Sequence, residues 1–222
     1  MTNEILLIDK PAGWTSFDVC AKIRGGLKVQ YREKGVKPTK RQLRVGHAGT
    51  LDPFATGLLI ILLGDATKKA TEFLKLDKVY EATITLGKKS TTGDPEGEIT
   101  SSKEKVVSRK KVEDTLKKFG GEIQQRPPIY SAIKINGQRA YKLARDGKEV
   151  EVPLRAVIIH SIEIIDYTYP ELKIRTHVGS GTYIRSLAVD IGKALGTGAY
   201  CSQLRRIQVA DWHIGAAETI EQ

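Results

Sequence analysis

Cysteine is nearly absent from this sequence. Its 222 residues include only Cys20 and Cys201, with no Cys-x-x-Cys pair. That argues against a disulfide framework and fits a reducing cytoplasm. Histidine is scarce too: His47, His160, His177 and His213 stand singly. No zinc-ligand spacing occurs, so no structural metal is expected. Long apolar runs are missing. The N-terminal one, residues 5–8, meets Asp9 and Lys10 at once and is too short for a secretory core. The longest, residues 58–63, cannot cross a bilayer. No internal repeat or low-complexity tract is visible. Acidic charge is the deficient sign: 26 Asp and Glu face 36 Lys and Arg, a net charge of +10 and a pI of about 9.5. Such a balance favours a polyanionic partner, nucleic acid first and an acidic membrane surface second.

What is present suffices for one large domain, with or without a small appendage, since 40% of the residues are hydrophobic. Residues 4–9 read as a buried strand, and Lys10-Pro-Ala-Gly-Trp14 forces a turn. Ser16 is placed as the N-cap of a short helix that ends at Gly25-Gly26. Residues 28–44 hold many bases, one acid and a proline. They read as a basic loop or arm, either a solvated linker or a phosphate-contacting one. A glycine-rich stretch, 45–53, leads into an apolar stretch, 53–64, that is read as helical.

Residues 79–86 alternate, with Tyr80, Ala82, Ile84 and Leu86 on one face of a half-buried strand. Residues 90–97 read as a polar turn, and 112–119 as a short helix closed by Gly120-Gly121. Residues 126–148 mix basic, aromatic and glycine residues and read as an excursion from the main sheet. Strands are predicted over 156–165, 172–178 and 204–209. Between the last two lies a helix with Ile184, Leu187, Ala188, Ile191 and Leu195 at helical spacing and Gly196 as its stop. Strands and helices interleave, but hairpin-like spacing also occurs. The pattern predicts a mixed α/β (α+β) sheet rather than a doubly wound parallel one.

A few residues invite chemistry, and each has a plain structural reading beside it. Asp52 before Pro53 fits a helix N-cap, and equally a carboxylate held at a glycine-lined turn that a nucleotide can approach. Arg185 falls in the first turn of its helix, against the macrodipole. It is either a surface arginine or one offset by a carboxylate, with Asp52 a candidate. Tyr80 fits the core or a stacking platform for a base. His47 fits polar surface, Tyr183 packing at a helix start, and Leu204 an ordinary strand position.

A resemblance then bears on these choices. Val45-Gly-His-Ala-Gly-Thr-Leu-Asp-Pro-Phe-Ala-Thr-Gly-Leu-Leu59 resembles the signature motif of TruB-type pseudouridine synthases. Ile8-Asp-Lys-Pro-Ala-Gly-Trp-Thr-Ser16 is similar to their first motif. Lys78-Val-Tyr80, Arg126-Pro-Pro-Ile-Tyr-Ser-Ala-Ile-Lys134 with Gly137 and Tyr141, Gly181-Thr-Tyr-Ile-Arg185 and Leu204-Arg-Arg206 also match, in family order. The resemblance implies a pseudouridine synthase fold, a mostly antiparallel central sheet flanked by helices and loops. It implies an isomerase that converts the T-arm uridine at tRNA position 55 to pseudouridine.

By resemblance, Asp52 is the nucleophile, Tyr80 stacks on the flipped base and takes part in proton transfer, and Arg185 pairs with Asp52. His47 holds the flipped conformation, Tyr183 and Leu204 line the pocket, and Lys10 supports the catalytic loop. The implied partner is tRNA through its T-arm stem-loop. No metal or organic cofactor, no membrane contact and no obligatory protein partner are expected, and a monomer in the cytoplasm is. Relatives commonly carry a C-terminal RNA-binding domain of PUA type, which is not expected here. The alternatives are an RNA-binding or tRNA-folding module and a subunit of an RNA-guided pseudouridine synthase.

Overall fold

The computed structural model describes residues 4–102, 106–131, 133–135, 137–140 and 152–220. Its elements run β1 (Ile5–Lys10), α1 (Ser16–Glu33), β2 (Val45–His47), β3 (Thr56–Leu63), α2 (Ala70–Leu74) and β4 (Lys78–Leu86). Next come β5 (Lys88–Ser90), β6 (Ile99–Ser101), α3 (Arg109–Leu116), β7 (Gly121–Gln125), β8 (Lys134–Ile135) and β9 (Gln138–Arg139). The chain ends with β10 (Arg155–Thr168), β11 (Glu171–Val178), α4 (Ile184–Leu195), β12 (Ala199–Val209), β13 (Trp212–His213) and β14 (Glu218–Thr219). Contacts divide it into two compact units: Met1–Tyr80 with Arg205–Gln222, and Glu81–Leu204. Strands β4 and β12 run through both.

In the first unit β3 is the central strand. It pairs antiparallel with β1 along one edge. Its other edge takes β2, antiparallel, at one end and β12, parallel, at the other. Leu58, Leu59, Ile60, Ile61 and Leu62, whose side chains alternate between the two faces, each show no exposed surface, so both faces of the strand are covered. The reading of residues 53–64 as helical is therefore wrong. An unbroken apolar run carries no period, so a buried strand and a buried helix look alike in sequence. Leu58, Ile60 and Leu62 form one core with Ala48, Phe73 and Val209. Each such side chain contributes about 1.5–3 kcal/mol by burial.

Helix α1 also departs from expectation. Thr15, not Ser16, is its N-cap, in a reciprocal capping box with Asp18. The helix does not stop at Gly25-Gly26 but continues to Glu33, so residues 28–33 of the basic segment are helical. Two interior glycines cost about 1 kcal/mol each. Packing overrides them, because the helix lies against β2 and buries Val19 and Cys20. Residues 39–44 then form a turn capped by Thr39 and Gln42. Asp65 ties that turn down through Arg41 and, at 4.0 Å, Arg44.

In the second unit the sheet order is β12-β4-β11-β10-β7. The β10–β11 and β10–β7 pairs are antiparallel, so the mixed, mostly antiparallel sheet predicted from sequence is what forms. Strand β4 buries Tyr80, Ala82, Ile84 and Leu86, as its alternation predicts. Helix α4 ends at Gly196, whose φ of 75° is the left-handed cap that favours glycine. Of the excursion, the described part includes the two-residue hairpin β8–β9; residues 141–148 lie outside the described residues. Among the described residues no helix is long and apolar enough to cross a membrane.

Candidate active site

Asp52 lies in the loop that leaves β2 and returns as β3. Its backbone opens a turn, with the Ala55 N–H donating to the Asp52 carbonyl at 3.1 Å. The N-cap reading is thus replaced: Asp followed by Pro is as favourable in the first two positions of a turn as at a helix start. Alternate residues of the loop are pinned. The buried Arg206 donates through Nη2 to the Gly49 carbonyl (3.0 Å) and through Nε to the Leu58 carbonyl (2.7 Å). Ser16 Oγ accepts the Leu51 N–H at 2.9 Å and donates to the Leu51 carbonyl at 3.3 Å. The Pro53 carbonyl accepts from the Gly13 N–H (2.8 Å) and from Lys10 Nζ (3.3 Å).

Lys10 is wholly buried, and its ammonium also donates to the Pro11 and Trp14 carbonyls. It thereby joins the 11–14 turn to the Asp52 loop. Gly57 makes the β3–β12 approach possible: a Cβ there would sit 2.3 Å from the Arg206 carbonyl oxygen. Asp52 itself is half-buried at the head of this framework.

His47, at the end of β2, packs edge-on against Phe17 with ring centroids 5.0 Å apart. Burial, with the Arg206 charge adding to it, pushes its imidazole below its ordinary value of 6.5. The native ring therefore resists a proton that the unfolded chain accepts. As pH falls through 6.5 towards the lowered native value, the unfolded state gains protons and stability drops; below that window the loss stops growing. Thermal midpoints recorded between about pH 5 and 7.5 should fall more steeply for the parent than for His47→Asn. Equal slopes would show that His47 titrates normally. Burial also pushes the Lys78 ammonium down to about 8, again with Arg206 contributing. Tyr80, two residues on, is 8% exposed, so most of its ring is packed.

The second unit gathers another group around the start of α4. Arg185 and Asp94 are 4% and 1% exposed, and Arg185 Nη1 donates to Asp94 Oδ2 at 2.8 Å. The guanidinium also donates to the Thr92 (3.2 Å) and Tyr130 (3.0 Å) carbonyls. Asp94 accepts in turn from Thr92 Oγ1 and the Glu96 N–H. The cation that looked misplaced at a helix start is buried and neutralised.

The helix has no side-chain cap of its own at Tyr183. Gln125 instead holds Tyr183 itself: its Oε1 accepts the Tyr183 N–H (2.8 Å) and its Nε2 donates to the Tyr183 carbonyl (3.1 Å). Leu204 is buried on β12. Asp94 and Gln125 escaped the sequence reading because one lies in a polar turn and the other just ahead of a motif. The β10–β11 pairing also brings the rings of His160 and His177 to 4.5 Å, though in sequence they stand alone.

Comparison with known proteins identifies the class. Residues 36–184 match the model of the TruB family pseudouridylate synthase N-terminal domain, and residues 185–222 that of the tRNA pseudouridylate synthase B C-terminal domain. The chain belongs to the TruB family of pseudouridylate synthases, which are isomerases. It is 45% identical to the tRNA pseudouridine synthase B of Phocaeicola vulgatus, over 99% of this chain and 91% of that one. It is 46% identical to the same-named protein of Bacteroides fragilis, over 94% and 87%.

Among solved structures it resembles Cbf5 in a Cbf5–Nop10–Gar1 complex, with a TM-score of 0.72, 30% identity and 97% of this chain covered. It resembles the archaeal box H/ACA Nop10–Cbf5 complex with a TM-score of 0.67 and 27% identity. The chain spans about half the length of those two Cbf5 chains, 52% and 51%.

Proposed function

We propose that this protein converts a T-arm uridine of tRNA to pseudouridine, with Asp52 as the nucleophile. The observation that carries the reading is the Asp52 loop, whose backbone is held at Gly49, Leu51, Pro53 and Leu58 by groups from three other segments. A carboxylate that must meet one atom of a flipped nucleotide gains from such preorganisation. The reaction exchanges the glycosidic C–N bond for a C–C bond; the ring carbon gives up its hydrogen and the freed nitrogen takes one. Atoms and electrons balance without any redox partner. Asp52 attacks the nucleotide, Tyr80 stacks on the detached base and assists proton transfer, and His47 holds the flipped form. Lys10 supports the loop from beneath, while Tyr183 and Leu204 line the pocket. The resemblance makes Arg185 the partner of Asp52, and within its own unit Asp94 orients the guanidinium.

The target base is stacked inside a folded arm, so extrusion costs a few kcal/mol. The relatives' shared name supports tRNA as the substrate. The Cbf5 likeness keeps a guided reading in view, since those proteins are solved in complexes. Purified protein incubated with an unmodified tRNA transcript should form pseudouridine in the T-arm without guide RNA. It should do so at an unchanged rate after dialysis against EDTA, on a hairpin substrate whose fold needs no magnesium. Activity that appears only with guide RNA, or only on adding back metal, would overturn the corresponding half of the proposal.

A further inference from the structure

Helix α1 carries an outward stripe that the core does not use. Helical spacing places Phe17, Ala21, Arg24, Lys28 and Arg32 along one side. The buried Val19 lies on the opposite side. Phe17 is 71% exposed. A phenylalanine left so open forgoes much of the roughly 1.5–3 kcal/mol that burial would supply. Yet it is not loose. The capping box of Thr15 and Asp18 fixes the backbone on either side of it. Ser16, its neighbour, is bonded to both backbone groups of Leu51, next to Asp52. Its ring stands at 85° to that of His47, whose Nδ1 is buried without a hydrogen-bond partner among the described residues. A rigid, exposed aromatic is therefore locked to the loop that bears the nucleophile.

Beyond Ala21 the stripe is basic. Lys28 and Arg32 are exposed, and among the described residues no carboxylate pairs with either. Arg24 is half-buried and donates to the Val45 carbonyl at 3.2 Å. From Phe17 to Arg32 the helix rises about 22 Å at about 1.5 Å per residue.

The geometry points to a docking strip for single-stranded RNA, and this rests on the reading of Asp52 as the nucleophile of a uridine-modifying enzyme. We propose that Phe17 stacks on an unpaired base beside the extruded uridine and that Lys28 and Arg32 contact phosphates farther along the RNA. Extruding one base leaves its neighbour with an open face, and an aromatic platform returns about 1–3 kcal/mol per base whatever its identity. Cations on the same helix face then set the register of the strand through its phosphates.

The test uses a T-arm hairpin with an unmodified uridine and 2-aminopurine in its loop, bound to full-chain Asp52→Asn so that turnover does not intervene. Adding Phe17→Ala should raise Kd about 5- to 150-fold and abolish the quenching of 2-aminopurine. Its thermal midpoint should stay at that of the parent, because little surface of Phe17 is buried. Phe17→Trp should restore binding and quenching, whereas Phe17→Leu should not. Replacing Lys28 and Arg32 with glutamine should flatten log K against log salt by about 0.7 for each lost contact. A Phe17→Ala Kd within twofold of the parent, or a leucine variant as tight as phenylalanine, would overturn the platform. An unchanged salt slope would overturn the phosphate track. A Phe17 effect of equal size on an unrelated hairpin would uphold the platform and refute the T-arm assignment instead.

Discussion

Replacing Asp52 with asparagine should abolish turnover while leaving substrate binding within a few-fold of the parent. The change is nearly isosteric and removes only the charge and the nucleophilic oxygen. The turn that Asp52 opens rests on its carbonyl, and the rest of the loop rests on Lys10, Ser16 and Arg206, so the loop backbone should keep its course after the swap. Asparagine is also at home in the first position of such a turn. A loss of at least about a thousandfold in kcat, roughly 4 kcal/mol of barrier, is expected. The measurement is single-turnover pseudouridine formation beside a binding isotherm on the same RNA. Turnover within tenfold of the parent would remove Asp52 from the mechanism. Lost binding with lost turnover would mean that the carboxylate organises the site rather than attacking.

The second large effect concerns Asp94. With Arg185 it forms a buried ion pair, and removing one member of such a pair strands the other charge at a cost of about 3–5 kcal/mol. In a chain of this size that is a drop of about 6–20 °C in Tm for Asp94→Ala. Turnover should fall at least about a hundredfold, roughly 2.7 kcal/mol, because the guanidinium loses the carboxylate that orients it. The double variant Asp94→Leu with Arg185→Met separates stability from chemistry. Having no stranded charge, it should melt above Asp94→Ala yet remain inactive. A single variant with parental Tm and kcat would show that Asp94 merely fills space. A double variant that recovers turnover would remove Arg185 from the site.

Much of this architecture is legible in local pattern. The alternation of β4, the periodicity of α4 and its stop at Gly196 follow from spacing alone, since side-chain period and left-handed glycine are properties of a few adjacent residues. Family motifs in order single out Asp52 and Arg185 as candidates. The failures share one cause. Residues 53–64 have no period, so only their neighbours β1, β2 and β12 show that the run is a strand. Gly25-Gly26 reads as a stop, and the helix passes through because its side bearing Val19 and Cys20 is buried against β2. Asp52-Pro53 is ambiguous between a cap and a turn until the following strand is known.

The residues that hold the site were hidden for the same reason. Arg206 reaches Gly49 and Leu58 across 157 and 148 residues, and Gln125 reaches Tyr183 across 58. Nothing near Gln125 distinguishes it from any polar residue at a strand end, and Asp94 sits in an ordinary-looking turn. Composition, local propensity and motif order thus settle the basic character of the chain and most of the elements, and they name the candidate groups. Which strands pair, which cation is buried and which backbone carbonyls it grips depend on contacts between distant segments. Those contacts exist only once the chain has closed, because a buried charge is tolerable only where folding has already brought its partners within reach.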